Sequence, residues 1–171
     1  MEYININGTD LKSSVVGLGG NKIAALSRDK DEVVSTLNHA LDQGINLFDT
    51  ADDYSYGDSE KLLGKLVRSR RDKVIICSKA GHIRGRAHHV GKFLIPAVKN
   101  IVRRWKPLRT TAVSAIGAVG GGANYGPAYI AKSIENSLRR LGTDYLDMFL
   151  IHGAGPDDIA DGALIDKLER L

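Results

Sequence analysis

The sequence predicts an α/β fold built on parallel strands, and three observations carry that reading. Short apolar runs of strand length recur over 15–20, 45–49, 73–79 and 145–151, too short for helices and bounded by glycine or charge. Between them lie stretches with apolar residues at helical spacing, two of which stop at Gly44 and Gly142. Strand alternating with helix specifies parallel strands joined by right-handed crossovers. Two architectures satisfy the pattern: a small doubly wound sheet, which 171 residues would complete, and a (β/α)8 barrel of roughly 250 residues, of which this length would be a part.

The chain opens on an alternating stretch, Tyr3-Ile4-Asn5-Ile6-Asn7, followed by Gly8-Thr9-Asp10, which reads as a β-hairpin. Residues 15–20 form the first core strand and end in glycines. A helix follows over 27–44, with Ser27 or Asp29 as its cap, Val33, Leu37 and Leu41 on one face, and Gly44 as its stop. The strand 45–49 ends at Asp49 and hands over to a polar loop carrying Tyr54. A second helix over about 58–69 buries Leu62, Leu63, Leu66 and Val67, and a third strand ends on Lys79. Residues 80–124 interrupt the rhythm as a long loop and helix insertion; Phe93, Leu94, Ala97, Val98, Ile101, Val102 and Trp105 recur there at helical spacing. Pro127 begins a firm helix with Ile130, Ile134, Leu138 and Leu141 in phase, and the fourth strand ends on His152. A last helix begins at about 161.

Composition removes several function classes. No apolar run approaches the roughly 20 residues of a membrane span, and Met1-Glu2-Tyr3 lacks a secretory pattern, so a cytoplasmic protein with no membrane partner is expected. The single cysteine, Cys77, sits in the apolar run Val74-Ile75-Ile76 and reads as a packing residue. The net charge is +4, yet no acid occurs between Asp72 and Glu135, while Arg84, Arg86, Lys92, Lys99, Arg103, Arg104, Lys106 and Arg109 all fall in that interval. The basic segment 84–109 reads as a solvated helix, because its aromatics, Phe93 and Trp105, fit the apolar stripe; no nucleic acid partner is expected.

Asp49, Lys79 and His152 stand at three strand ends, and Tyr54 lies just beyond the first. In parallel α/β folds, loops leaving the C-terminal ends of strands converge on the ligand site. Singly, each residue has an ordinary structural explanation: a cap, a solvated amine, a satisfied histidine. Gathered together they describe a phenol beside an ammonium, which stabilises the phenolate, with Asp49 holding the ammonium and His152 donating a second hydrogen bond to a substrate oxygen. Neither a G-x-G-x-x-G fingerprint nor a phosphate-binding G-x-x-x-x-G-K-[ST] loop is present, and no metal site is expected.

The stretch Asp49-Thr50-Ala51-Asp52-Asp53-Tyr54, followed by Gly57-Asp58-Ser59-Glu60 and Leu63-Gly64, resembles the D-T-A-x-x-Y…G-x-S-E…L-G signature of the aldo-keto reductases. Lys79, within Ile76-Cys77-Ser78-Lys79-Ala80-Gly81, is similar to the family's third-strand lysine. Ser137-Leu138-Arg139-Arg140-Leu141-Gly142-Thr143-Asp144-Tyr145-Leu146-Asp147, with His152 beyond, resembles the S-L-x-x-L-G-x-D-Y-x-D…H signature. The resemblance implies an α/β fold that is a partial (β/α)8 TIM barrel: about four βα units after an N-terminal β-hairpin that plugs the barrel bottom, with 1–171 as the barrel's N-terminal half and the insertion at about 80–124 over the site. It implies an NADPH-dependent oxidoreductase, with NADH possible, acting on a small carbonyl or sugar substrate. Tyr54 is then the general acid, Lys79 and Asp49 depress its pKa, and His152 orients the carbonyl. Asp49 and Gly20 are the implied cofactor-binding positions. Tyr56, two residues on, is the competitor for the role of Tyr54. The chain is expected to lack the C-terminal half of the barrel and to be weakly active or inactive alone; the alternative is a non-catalytic binding or regulatory module of the same fold.

Overall fold

The computed structural model describes residues 1–26, 29–84, 121–160 and 162–171. The expected cap Ser27 and nearly all of the basic insertion, including its helical stripe, lie outside the described residues. Two compact units divide the chain: Met1–Gly81 together with Tyr125–Leu171, and His82–Asn124.

In the first unit, β1 (Tyr3–Asn5) and β2 (Lys12–Ser14) form the antiparallel hairpin, with Tyr3 opposite Ser14. Its turn closes through the Thr9 hydroxyl, which donates to the Ile6 carbonyl at 2.8 Å. Four short strands then build one parallel sheet: β3 (Gly17–Gly19), β4 (Leu47–Asp49), β5 (Ile75–Ala80) and, after the second unit, β8 (Met148–Ile151), in the order β3-β4-β5-β8. Among the described residues no strand pairs with the outer edge of β3 or β8, so the barrel is not closed.

Register sorts the side chains onto two faces. Leu18, Phe48 and Ile76 lie in one row across β3, β4 and β5, and Ser78 with Phe149 and Ala80 with Ile151 continue that face. The four described α-helices pack there. α1 (Lys30–Asp42) and α2 (Asp58–Arg70) cover Phe48 and Ile76, while α3 (Pro127–Leu141) and α4 (Ala163–Leu168) bring Ile130 and Leu164 against Ala80, Phe149 and Ile151. A doubly wound sheet carries helices on both faces; among the described residues this one carries them on one. The other face presents Leu47, Asp49, Cys77, Lys79, Met148 and Leu150 in register.

The helices start and stop where local chemistry requires. Asp29 caps α1 by accepting from the Asp31 amide at 2.9 Å, and Val33, Leu37, Ala40 and Leu41 form its buried stripe. Gly44 follows with φ of 90°, and a Cβ there would meet Met1 Cβ at 2.8 Å and the Tyr3 hydroxyl at 2.9 Å. The Tyr3 hydroxyl donates to the Gly44 carbonyl at 2.9 Å. Asn46, next in line, accepts from the Ser14 amide at 2.7 Å and donates to the Lys12 carbonyl at 2.9 Å. Those contacts fasten the hairpin to the N-terminal end of β4. The Asn46 carbonyl meanwhile accepts from the Ile75 amide of β5 at 2.7 Å, so the same residue joins hairpin and sheet.

α3 differs from its expected stripe. Ile130 and Leu141 are buried, but Ser133 and Ser137 are buried with them, while Leu138 is half-buried. The serines face polar groups, described below, so the helix packs through hydroxyls as well as hydrocarbon. β8 is likewise shorter than expected, because the Asp147 carboxylate accepts the Ile76 amide at 2.8 Å and replaces a strand partner.

In the second unit, β6 (His82–Arg84) and β7 (Gly121–Ala123) form a two-stranded antiparallel pair with His82 opposite Ala123.

Candidate active site

β4 ends on Asp49, yet its backbone keeps pairing with β5. The Thr50 amide donates to the Cys77 carbonyl at 2.8 Å, and the Asp52 amide donates to the Lys79 carbonyl at 2.9 Å. On the other side the Gly20 amide donates to the Asp49 carbonyl at 2.6 Å, and the Ser59 hydroxyl bonds both the Gly20 carbonyl and Thr50, each at 2.9 Å. A Cβ at Gly20 would meet Ser59 Oγ at 2.6 Å. Glycine is therefore required at position 20 by the protein's own packing.

The chain then turns through Tyr54–Gly57, where Ser55 and Tyr56 take φ of 48° and 60° and Gly57 takes 82°. Positive φ is unusual for serine and more so for tyrosine; each such residue costs about 1–3 kcal/mol, which the surroundings must offset. The turn aims the Tyr54 ring at the sheet's C-terminal edge.

There the expected residues meet. Lys79 donates to the Asp49 carboxylate and, at 2.9 Å, to the Thr50 carbonyl. Its ammonium lies 5.2 Å from the centroid of the Tyr54 ring, within the range of a cation–π contact. The His152 ring stands edge-on to Tyr54, with centroids 5.8 Å apart, and its Nδ1 is 3.6 Å from Asp53 Oδ1. Tyr54 thus has an ammonium over its ring and an imidazole nearly perpendicular to it. The sequence places the Tyr54 phenol beside the Lys79 ammonium, an arrangement that would let the two hydrogen-bond. Instead, among the described residues, the ammonium bonds Asp49 and Thr50, because a carboxylate and a carbonyl are better acceptors than a phenol.

Residues with no assigned role complete the site. Asp53 faces His152, and the Tyr125 hydroxyl donates to the His152 carbonyl at 3.2 Å. The Glu60 side chain, fully buried, accepts from Ser78 at 2.7 Å and from Arg140 Nε at 2.6 Å. Burial pushes Asp52 up to about 6, with Glu60 and Asp53 adding to the rise and Arg140 and Ser133 opposing it. Burial and the Asp52 charge also push the nearby Tyr129 phenol up. Cys77, on the same face as Asp49 and Lys79, has its thiol pushed up to about 11 by burial first and by Asp49 second. All but Tyr125, Tyr129 and Ser133 of these fall inside quoted motifs, so position in the motif was the available signal; their partners are set by the fold.

A cavity of about 270 Å³ opens at the opposite end of the strands, beside Lys12, Asn46, Arg71 and Tyr145. It is remote from this constellation. Arg71 there is spent on Asp147 at 2.7 Å and on the carbonyls of Val74 and Tyr145.

The sequence model of the Aldo/keto reductase family matches residues 15–168. The uncharacterized oxidoreductase YqkF of Bacillus subtilis is 31% identical over 171 residues, all of this chain and 45% of that protein. The NADH-specific methylglyoxal reductase of Escherichia coli is 27% identical over 158 residues, 89% of this chain and 42% of its own length. Among solved structures, the holo form of the aldo-keto reductase AKR11C1 from Bacillus halodurans superposes with a TM-score of 0.73 at 29% identity, covering 100% of this chain and 46% of that one. An aldo-keto reductase from Klebsiella pneumoniae in complex with NADPH has a TM-score of 0.59 at 28% identity, covering 94% of this chain and 42% of its own. The chain thus spans less than half the length of these relatives. With a family signature that runs through both strand ends and the loops between them, this chain belongs to the aldo/keto reductase family.

Proposed function

We propose that this chain carries the reacting end of an oxidoreductase site that reduces a small aldehyde or ketone, or oxidises the corresponding alcohol or sugar, with a nicotinamide cofactor. The observation that carries the reading is the meeting of Asp49, Tyr54, Lys79 and His152 at the C-terminal ends of three neighbouring parallel strands. NADPH is the favoured cofactor, since a Klebsiella pneumoniae relative was crystallised with it; the E. coli relative named for NADH keeps NADH as the second candidate.

The residues suit the nicotinamide end of such a cofactor. Asp49 is 38% exposed at a strand end, and opposite it in register Gly19 leaves open space where a Cβ would stand. Asp49 would hold the ring's polar edge, whereas Gly20 contributes by bringing its backbone against Asp49 and Ser59. When bound, the cofactor supplies a hydride to the carbonyl carbon. Tyr54 delivers the proton to the carbonyl oxygen, and the His152 imidazole orients that oxygen. Lys79, anchored by Asp49 and Thr50, keeps positive charge against the Tyr54 ring as negative charge develops on the phenol. None of these residues holds the cofactor's phosphates or adenine, so orientation of the cofactor, worth up to about 7–11 kcal/mol of the barrier, calls for further contacts.

The test is NADPH and NADH binding followed by cofactor fluorescence, with turnover of an aldehyde panel, for this chain alone and joined to the C-terminal half of a relative. Turnover by the joined form, abolished in Tyr54→Phe, is expected. Full activity of that variant would remove Tyr54 as the acid, and cofactor binding with no turnover in either form would return the non-catalytic module.

A further inference from the structure

We propose that Arg140, held by Glu60, is a positioning residue for Tyr54: the turn after Tyr54 rests on its side chain, which Glu60 and Ser78 tie to the strand bearing Lys79. The role rests on reading Tyr54 and Lys79 as the reacting pair.

The turn of Ser55, Tyr56 and Gly57 is held in left-handed backbone conformations that serine and tyrosine do not favour. Such conformations persist only where the surroundings over-determine them. What presses on this turn is Arg140: a Cβ on Gly57 would lie 2.7 Å from its Cδ and 2.9 Å from its Nε. The guanidinium is itself fixed, donating to Glu60 Oε2 at 2.6 Å and to Ser137 Oγ at 3.2 Å.

Glu60 supplies the second half of the link. Its side chain has no exposed surface, and its other oxygen accepts from Ser78 at 2.7 Å. Ser78 immediately precedes Lys79 and faces the helices, whereas Lys79 faces the site. One buried carboxylate therefore joins β5, the start of α2 and the end of α3. Asp52, which feels both Glu60 and Arg140, reaches β5 separately through its amide bond to the Lys79 carbonyl. The Tyr54 ring and the Lys79 ammonium approach each other from two backbones that this linkage holds together. The two serines buried on α3, otherwise out of place in an apolar stripe, border the same linkage: Ser137 accepts from Arg140, and Ser133 opposes the rise of the Asp52 pKa.

The experiment uses the 171-residue chain with ring-labelled tyrosines, observed by NMR and assigned through Tyr54→Phe. The edge-on His152 ring gives Tyr54 a distinctive ring-current shift and a cross-relaxation contact. Arg140→Met, which keeps the stem and loses the guanidinium, is expected to move the Tyr54 resonances and weaken the Tyr54–His152 contact at least five-fold. The signals of Tyr3 and Tyr145, at the other end of the sheet, should stay in place. Arg140→Lys should restore part of the wild-type pattern, and Leu37→Ala, a core truncation away from the site, should leave Tyr54 unmoved. Unchanged Tyr54 signals in folded Arg140→Met, or equal movement of all three tyrosines, would overturn the proposal. If Arg140→Met does not fold by circular dichroism, Ser78→Ala removes one hydroxyl from the linkage and is read in the same way; an unmoved Tyr54 there also overturns it. Neither reading involves cofactor or turnover, so failure of the reductase proposal would register separately.

Discussion

Two cations anchor the two ends of the sheet, and they are used differently. At the N-terminal end Arg71 directs its donors to Asp147, the Val74 and Tyr145 carbonyls and Thr143 Oγ1, and stacks 3.6 Å from the Tyr145 ring centroid. Its Asp147 partner is 10% exposed and also accepts a strand amide. At the C-terminal end Lys79 is 12% exposed, but its Asp49 partner is 38% exposed and a phenol and an imidazole stand beside them. The first network is closed on itself; the second is open on one side. A closed network stabilises the fold, while an open one retains capacity for a ligand, the division between bottom and top familiar in barrels.

Substitutions at the two ends should separate those uses. The largest effect is expected at the open end, where Tyr54→Phe should lower carbonyl reduction by about 10²–10⁴-fold in the form joined to a C-terminal half, while leaving the urea midpoint almost unchanged. A variant that lost stability and kept activity would invert the comparison. At the closed end Arg71→Met leaves Asp147 buried without its cation and should cost roughly 3–5 kcal/mol of stability, measured by urea unfolding. A cost below about 1 kcal/mol, the range of exposed ion pairs, would show that this end is not closed in the sense argued.

A smaller effect tests the packing between them. At Gly64 an added Cβ would lie 2.6 Å from the Leu141 carbonyl and 2.8 Å from that of Arg140, both backbone atoms. Gly64→Ala should therefore cost about 1–3 kcal/mol by overpacking and shift Arg140 as well; a neutral outcome would mean that α2 and α3 separate freely. The smallest effect is a pH dependence. Asp52 rises from 3.8 to about 6 in the folded chain, so the folded state holds a proton that the unfolded state has released between those values. Its contribution is present below pH 3.8 and is lost as pH rises through about 6. The melting temperature of the wild type should thus fall relative to Asp52→Asn across that window and run parallel to it above. Parallel curves throughout would mean that Asp52 is not desolvated.

The open end was largely legible in the sequence because three of the four strands are apolar runs that stop on or just before an ionisable residue, and strand polarity then brings Asp49, Lys79 and His152 to one edge. Tyr54 was legible from its motif. The supports were not. An acid in the first turn of a helix reads as a dipole partner, and the complete burial of Glu60 depends on Arg140, distant in sequence. Hydrophobic periodicity counts only apolar side chains, so it missed Ser133 and Ser137 on the buried face of α3. The positive φ of Ser55 and Tyr56 has no local cause, since neither residue favours it, and tertiary contacts must impose it.

For the carbonyl substrates proposed above, the placement of Cys77 has a chemical consequence. Aldehydes are electrophiles, and a thiolate beside one adds to the carbonyl to give a hemithioacetal. The chain's one cysteine lies in register with Asp49 on the face that bears Lys79, where such an addition would foul the site. Its thiol, pushed up to about 11, keeps its proton at neutral pH and is buried, so it is a poor nucleophile. The same protection extends to peroxide and alkylating agents, which attack the thiolate, so a sulfur at this position can remain chemically silent.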